Sequence, residues 1–172
     1  FLSLECQIKR VRQSKFIDEI VIATTTNAED DELEKFSNSI GCKVFRGSEE
    51  DVLMRLFFVA KKFNLSSFVN MTADIPMIDP TLIDHAIDVF NNINPDLFLY
   101  EKYSFNVCVM VKVSSLARVC KFKKDSNTEA WIKYFQAMND INIHIEKVSK
   151  ENKNISLKTS LDYYEDYLFI KR

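Results

Sequence analysis

Glycine is nearly missing from this 172-residue chain, which holds only Gly41 and Gly47. Two glycines cannot supply the three of G-x-G-x-x-G, and no G-x-x-x-x-G-K-[ST] is present, so the usual glycine-rich phosphate cradles are excluded from these residues. Charge of one sign is lacking too. Lys and Arg number 23 against 25 Asp and Glu, a formal net charge of −2. That excludes bulk, sequence-independent nucleic-acid binding, which needs a strong basic excess. No apolar run approaches the roughly 18 residues of a membrane span, so no membrane insertion is expected. The four cysteines, Cys6, Cys42, Cys108 and Cys120, form no C-x-x-C and no C-x-x-H. Scattered in this way they read as reduced structural thiols of a cytoplasmic protein. No secretory signal, linker, repeat or low-complexity stretch is visible. The chain opens at Phe1 without an initiator methionine, and further sequence is expected upstream.

What is present is a core. Hydrophobic residues make up 47% of the chain, enough for one domain over 1–172. Leu4, Ile8 and Val11 give residues 2–14 a helix with one apolar stripe. The β-branched run 19–24 reads as a strand covered on both faces. A helix follows from Asn27, with Glu29, Asp30 and Asp31 against its dipole and Gly41 past its end. Strand 42–45 leads to Ser48-Glu49-Glu50-Asp51, which resembles a capping box, and to an apolar helix ending near Phe63. Strand 67–71 and a helix over 80–91 come next. Strands are expected over 96–100, 107–113, 141–148 and 155–160, and helices over 114–122, 127–138 and 162–172. Strands alternating with helices imply βαβ units and a parallel sheet.

The stretch Ser67-Phe68-Val69-Asn70-Met71-Thr72-Ala73-Asp74-Ile75-Pro76-Met77-Ile78-Asp79-Pro80 carries the clearest chemistry. An apolar run ends in a lone acid, Asp74. A carboxylate at the C-terminal end of a buried strand stands where open α/β sheets bind ligands. Hiding it costs several kcal/mol unless it is paired or holds a metal, which makes Asp74 a candidate metal ligand. Asp79-Pro80 reads as a helix cap and first helical residue.

Four pieces in this order resemble the cytidylyltransferase family, in particular its spore coat polysaccharide biosynthesis protein F branch, related to CMP-Kdo and CMP-sialic acid synthetases. They are Ser14-Lys15-Phe16-Ile17-Asp18-Glu19-Ile20-Val21-Ile22-Ala23-Thr24, Val44-Phe45-Arg46-Gly47-Ser48-Glu49-Glu50-Asp51-Val52-Leu53, Thr72-Ala73-Asp74-Ile75-Pro76-Met77-Ile78-Asp79-Pro80, and Ser160-Leu161-Asp162-Tyr163-Tyr164-Glu165-Asp166. The resemblance implies a three-layer α/β/α sandwich with a mainly parallel sheet, like the nucleotide-diphospho-sugar transferases of the GT-A type. It implies transfer of CMP from CTP to an acidic sugar with release of pyrophosphate, for surface polysaccharide or glycoconjugate synthesis, by a cytoplasmic homodimer. It places Mg²⁺ on Asp74 and Asp162, and puts Arg46 and Thr72 near the cytosine base. Mg²⁺ suits such a pair, since it takes one or two carboxylates plus phosphates and water. Thr24, at the ligand end of its strand, and Ser48, at the expected helix start, complete the candidate nucleotide contacts.

The chain also departs from the family pattern. It starts after the strand and the QAR-x-x-S-x-R-L-P-x-K loop that grip the triphosphate. Ala73-Asp74 replaces Gly-Asp, Tyr164 replaces a proline, and Tyr103-Ser104-Phe105-Asn106 stands where Asp-Gly-x-Asp is usual. These differences keep open a second reading, a nucleotide- or sugar-binding homologue without turnover. A third is a GT-A-like glycosyltransferase, although Thr72-Ala73-Asp74 lacks the first acid of Asp-x-Asp. Local structural roles compete at each position: a helix cap for Asp162 and Ser48, a surface cation for Arg46, a polar turn for Thr24. Trp131, Tyr134 and Phe135 read as core, with a subunit interface as the alternative, and His85 and His144 have no metal-like or triad-like neighbour in sequence, so no catalysis is assigned to them.

Overall fold

The computed structural model describes residues 2–101, 108–147 and 160–170, with side chains as far as Leu168. The strand expected over 155–160 and the segment Tyr103-Ser104-Phe105-Asn106 fall outside these, apart from Ser160. The elements run α1 Leu2–Val11, β1 Val21–Thr25, a 3-10 turn Ala28–Asp30, α2 Asp31–Ser39, β2 Lys43–Gly47, α3 Val52–Lys62, β3 Ser67–Asn70, α4 Pro80–Ile93, β4 Leu97–Tyr100, β5 Val109–Lys112, α5 Val113–Phe122, α6 Ile132–Gln136, β6 Ile143–Glu146 and α7 Tyr164–Ile170. This is an α/β chain. Its described strands are β1 beside β2, and a group in the order β3-β5-β4-β6. β1 and β2 are parallel, in register from Val21 opposite Lys43 to Thr25 opposite Gly47, so both C-terminal ends reach one rim. No helix among the described residues is long and apolar enough to cross a membrane.

Two compact units divide the chain: residues 1–17, 69–110 and 144–172 in the first, 18–68 and 111–143 in the second. In the first, α1 buries Leu4, Ile8 and Val11, α4 buries Ile83, Ala86, Ile87 and Phe90, and β4 contributes Leu97 and Phe98. In the second, Leu53, Leu56, Val59 and Ala60 of α3 are buried with Leu116 and Val119 of α5. Trp131, Tyr134 and Phe135 are buried there as well, with the Trp131 and Phe135 rings edge to face at 5.8 Å.

Helix ends follow local chemistry. Asp79 caps α4 by accepting the Thr81 amide at 2.8 Å, with Pro80 as first helical residue. Gly41, at φ 75°, ends α2 with paired bonds from its own amide to Asn38 and from Cys42 to Ser37. This is the Schellman arrangement, which requires a left-handed residue. Asn64, at φ 52°, repeats it after α3.

Two expected elements changed. α3 begins at Val52 and not at Ser48, because Asp51 is the residue that accepts the Met54 amide. The Ser48 hydroxyl instead accepts the Asp51 amide at 3.0 Å, closing a turn before the helix. The helix expected over 127–138 is reduced to Ile132–Gln136. Thr128 is captured elsewhere: its amide donates to the Glu50 carbonyl and its hydroxyl to Asp51. β6 is half-buried on both faces. Ile145 is 57% exposed, while His144 stacks on the Phe98 ring at 5.6 Å.

Candidate functional site

β3 delivers the chain to a turn carrying Thr72 and Asp74, and α4 begins just beyond it. Pro76 and Ile78 are buried and root this segment in the first unit. Thr72 is exposed, and its carbonyl accepts the Gln7 side-chain amide at 2.7 Å. Asp74 is half-buried, and its Oδ1 is buried with no hydrogen-bond partner among the described residues. Leaving a carboxylate oxygen in that condition costs free energy on the order of 1–3 kcal/mol or more. An orphaned buried oxygen at a strand end is what a hard cation would satisfy.

The carbonyl of Asp74 accepts the amide of Leu161 at 2.8 Å. That single bond brings together the two distant stretches that hold the candidate ligands, since Asp162 follows Leu161 directly. Asp162 is exposed, and its Oδ2 accepts from the Ser160 hydroxyl at 3.0 Å. α7 begins two residues later at Tyr164. Asp166 Oδ2 accepts the amides of Asp162 at 3.0 Å and Tyr163 at 2.8 Å, tying the segment before the helix to its first turn. Among the described residues no group of three or more His, Cys, Asp or Glu is arranged for a metal. Two carboxylates with phosphates and water remain a suitable donor set for Mg²⁺.

The other candidates lie in the second unit, and local partners occupy each of them. The Thr24 hydroxyl donates to Asp30 Oδ2 at 2.6 Å, and Thr25 gives the same oxygen its amide at 2.9 Å and its hydroxyl at 2.5 Å. These donors, Thr24 foremost, hold the Asp30 carboxyl below the usual aspartate range. Arg46 lies opposite Thr24 in the β1–β2 register. Its Nε donates to the Thr25 carbonyl, its Nη2 to the Asn27 carbonyl, and its Nη1 to Asp31 at 2.5 Å and Glu34 at 3.0 Å. The guanidinium fork is thus a clamp on the loop between β1 and α2, and its two acidic partners hold its proton more tightly. Ser48 spends its hydroxyl on the turn described above.

Sequence reasoning missed Asp30 as a hub, reading it only as a dipole-compensating acid. It missed Asp51 as the helix cap, although an acid directly before an apolar run is a cap signal. It also missed that both histidines meet one acid. His144 Nε2 lies 2.8 Å from Glu146 Oε2, and His85 Nε2 lies 3.7 Å from Oε1. No sequence signal links His85 to a residue 61 positions away (146 − 85).

A family model described as cytidylyltransferase matches residues 4–168. The spore coat polysaccharide biosynthesis protein SpsF of Bacillus subtilis (strain 168) is 42% identical over 88 residues, 49% of this chain and 37% of that protein. This chain covers only 35% and 37% of the curated relatives it matches. A cytidylyltransferase structure from Leptospira borgpetersenii superposes with a TM-score of 0.86 at 22% identity, over 98% of this chain and 74% of that one. CMP:2-keto-3-deoxy-manno-octonic acid synthetase, solved with CTP, superposes at 0.74 and 12% identity, over 98% and 86%. Rv0371c from Mycobacterium tuberculosis H37Rv, solved with manganese, superposes at 0.66 and 15% identity, over 98% and 84%. At these identities the likeness establishes a shared α/β fold.

Proposed function

Since the chain belongs to the cytidylyltransferase family, we propose that it transfers CMP from CTP to an acidic sugar in the synthesis of a surface polysaccharide or glycoconjugate. A sugar hydroxyl would attack the α-phosphorus in line as the α–β phosphoanhydride bond breaks and pyrophosphate leaves. The protein's part in such a transfer is positioning and charge neutralisation. The observation that carries this reading is the buried, unpartnered Oδ1 of Asp74, joined through its own carbonyl to the segment bearing Asp162. Asp74 and Asp162 would hold a divalent cation, Mg²⁺ in the cell. When bound, that cation supplies charge neutralisation on the phosphates and orients the attacking oxygen. The name of the Bacillus relative supports the polysaccharide role, the CTP-bound synthetase supports the nucleotide and an acidic sugar, and the manganese-bound neighbour supports a divalent cation.

The internal commitment of Thr24, Arg46 and Ser48 favours one alternative, a nucleotide-binding homologue without turnover. Pyrophosphate release separates the two. With CTP, Mg²⁺ and a 2-keto-3-deoxy sugar acid, the enzyme releases pyrophosphate and the binding homologue does not. In either case CTP with Mg²⁺ raises Tm, since a ligand at about a hundred times its Kd adds about 2.7 kcal/mol of stability. Asp74→Asn removes the Mg²⁺-dependent part of that rise. A rise with another nucleotide and none with CTP refutes the cytidine assignment.

A further inference from the structure

The buried face of α1 reads Leu4, Gln7, Ile8, Val11. Three positions are apolar, and the fourth is a primary amide only 5% exposed. A leucine would continue the stripe without cost, whereas a buried amide costs free energy unless it is hydrogen-bonded. Gln7 Nε2 donates to the Thr72 carbonyl at 2.7 Å. One turn further along the helix, Arg10 Nε donates to the Ile78 carbonyl at 2.6 Å. These two bonds bracket Asp74, whose own carbonyl is held by the Leu161 amide at 2.8 Å. Three carbonyls within 72–78 are therefore fixed by donors from distant parts of the sequence. The backbone is thus held on both sides of Asp74, whose Oδ1 is buried with no hydrogen-bond partner among the described residues.

We propose that Gln7 and Arg10 are positioning residues that pin the 72–78 turn and thereby hold the Asp74 carboxylate ready for a divalent cation. This rests on Asp74 as a cation ligand. Groups that orient a ligand without touching the metal typically change its affinity about 10- to 100-fold when removed.

The test titrates the full chain with Mn²⁺ alone and reads binding from water-proton relaxation enhancement, with Tm measured on each variant. Asp74→Asn is expected to lose the bound Mn²⁺. Gln7→Leu is expected to keep its Tm, because leucine suits the stripe, and yet to bind Mn²⁺ about tenfold more weakly. Arg10→Met is expected to weaken binding similarly, and Arg10→Lys, which still offers a donor, to restore part of it. Should Gln7→Leu lose its fold, the Arg10→Met and Arg10→Lys pair decides the question alone. Wild-type affinity in Gln7→Leu and Arg10→Met, with binding lost in Asp74→Asn, would overturn the positioning role and leave the ligand assignment standing. Wild-type affinity in Asp74→Asn would overturn both.

Discussion

Removing the charge of Asp51 should cost less than removing its whole side chain, and the difference can be worked from the bonds it makes. Its Oδ1 accepts the Met54 amide at 3.2 Å and the Thr128 hydroxyl at 3.0 Å, and its Oδ2 takes Lys123 Nζ at 2.6 Å. The two charged side chains are 11% and 18% exposed, so water screens the pair poorly. Thr128 is fully buried and accepts the Leu53 amide at 3.0 Å, extending the network into α3. Asp51→Asn keeps an oxygen for Met54 and Thr128 but turns an amide toward the ammonium. Breaking a buried pair typically costs about 3–5 kcal/mol. Lys123 keeps the Asp125 carbonyl at 3.0 Å, so about 2 kcal/mol is expected here. Asp51→Ala adds the lost cap, about 1 kcal/mol, and the lost partner of Thr128, about 1 kcal/mol, for a total of about 4 kcal/mol. That is a large share of the roughly 5–15 kcal/mol that holds a domain together. Urea unfolding followed by far-UV circular dichroism measures both variants as shifts in midpoint at constant slope. Adding Lys123→Met to Asp51→Asn should recover most of the loss, because the stranded charge is gone. Wild-type stability in Asp51→Asn would mean that the pair is worth no more than a surface bridge. Equal stability of the two single variants would mean that the cap and the Thr128 bond contribute nothing. Either result refutes the reasoning.

Two further outcomes follow from the titratable groups. Asp30 is held below its ordinary value, near 3.8, by the Thr24 and Thr25 hydroxyls, so its contribution is fully present above that pH and fades as pH falls through the lower folded value. The stability gap between wild type and Asp30→Asn should therefore be widest near neutrality and close below about pH 4; a gap that stays constant from pH 7 to 3 contradicts this. Burial pushes the Cys108 thiol up to about 12 and the Cys120 thiol to about 11, whereas Cys6 is exposed. A thiol reagent should modify Cys6 quickly in the native protein and Cys108 only on unfolding; a fast thiol surviving in Cys6→Ser would contradict this.

The elements were legible because their signals are local. The stripe of α1, the Asp79-Pro80 start of α4 and the Gly41 end of α2 each depend on residues within a turn or two. Boundaries slipped where a distant group competed for the backbone. Ser48 and Asp51 both suit a cap, and Thr128 reaching back to Asp51 and Leu53 accompanies the choice of Asp51. Arg46 is expected near the cytosine base by resemblance alone. Its saturation by Thr25, Asn27, Asp31 and Glu34 appears only once β1 and β2 lie side by side.

By itself the chain determined its α/β class, its family and the strand-end acid at Asp74, because hydrophobic period, capping residues and motif order are written in neighbouring positions. Tertiary structure alone decided that Asp74 has a buried oxygen with no partner among the described residues, that the Leu161 amide bonds to the Asp74 carbonyl, and that Gln7 and Arg10 bond to carbonyls on either side of Asp74. Those bonds join residues 65 and 68 positions apart in the case of α1. A hydrogen bond at that separation leaves no local periodicity in the sequence, and it exists only after folding has met the cost of closing the loop between its ends.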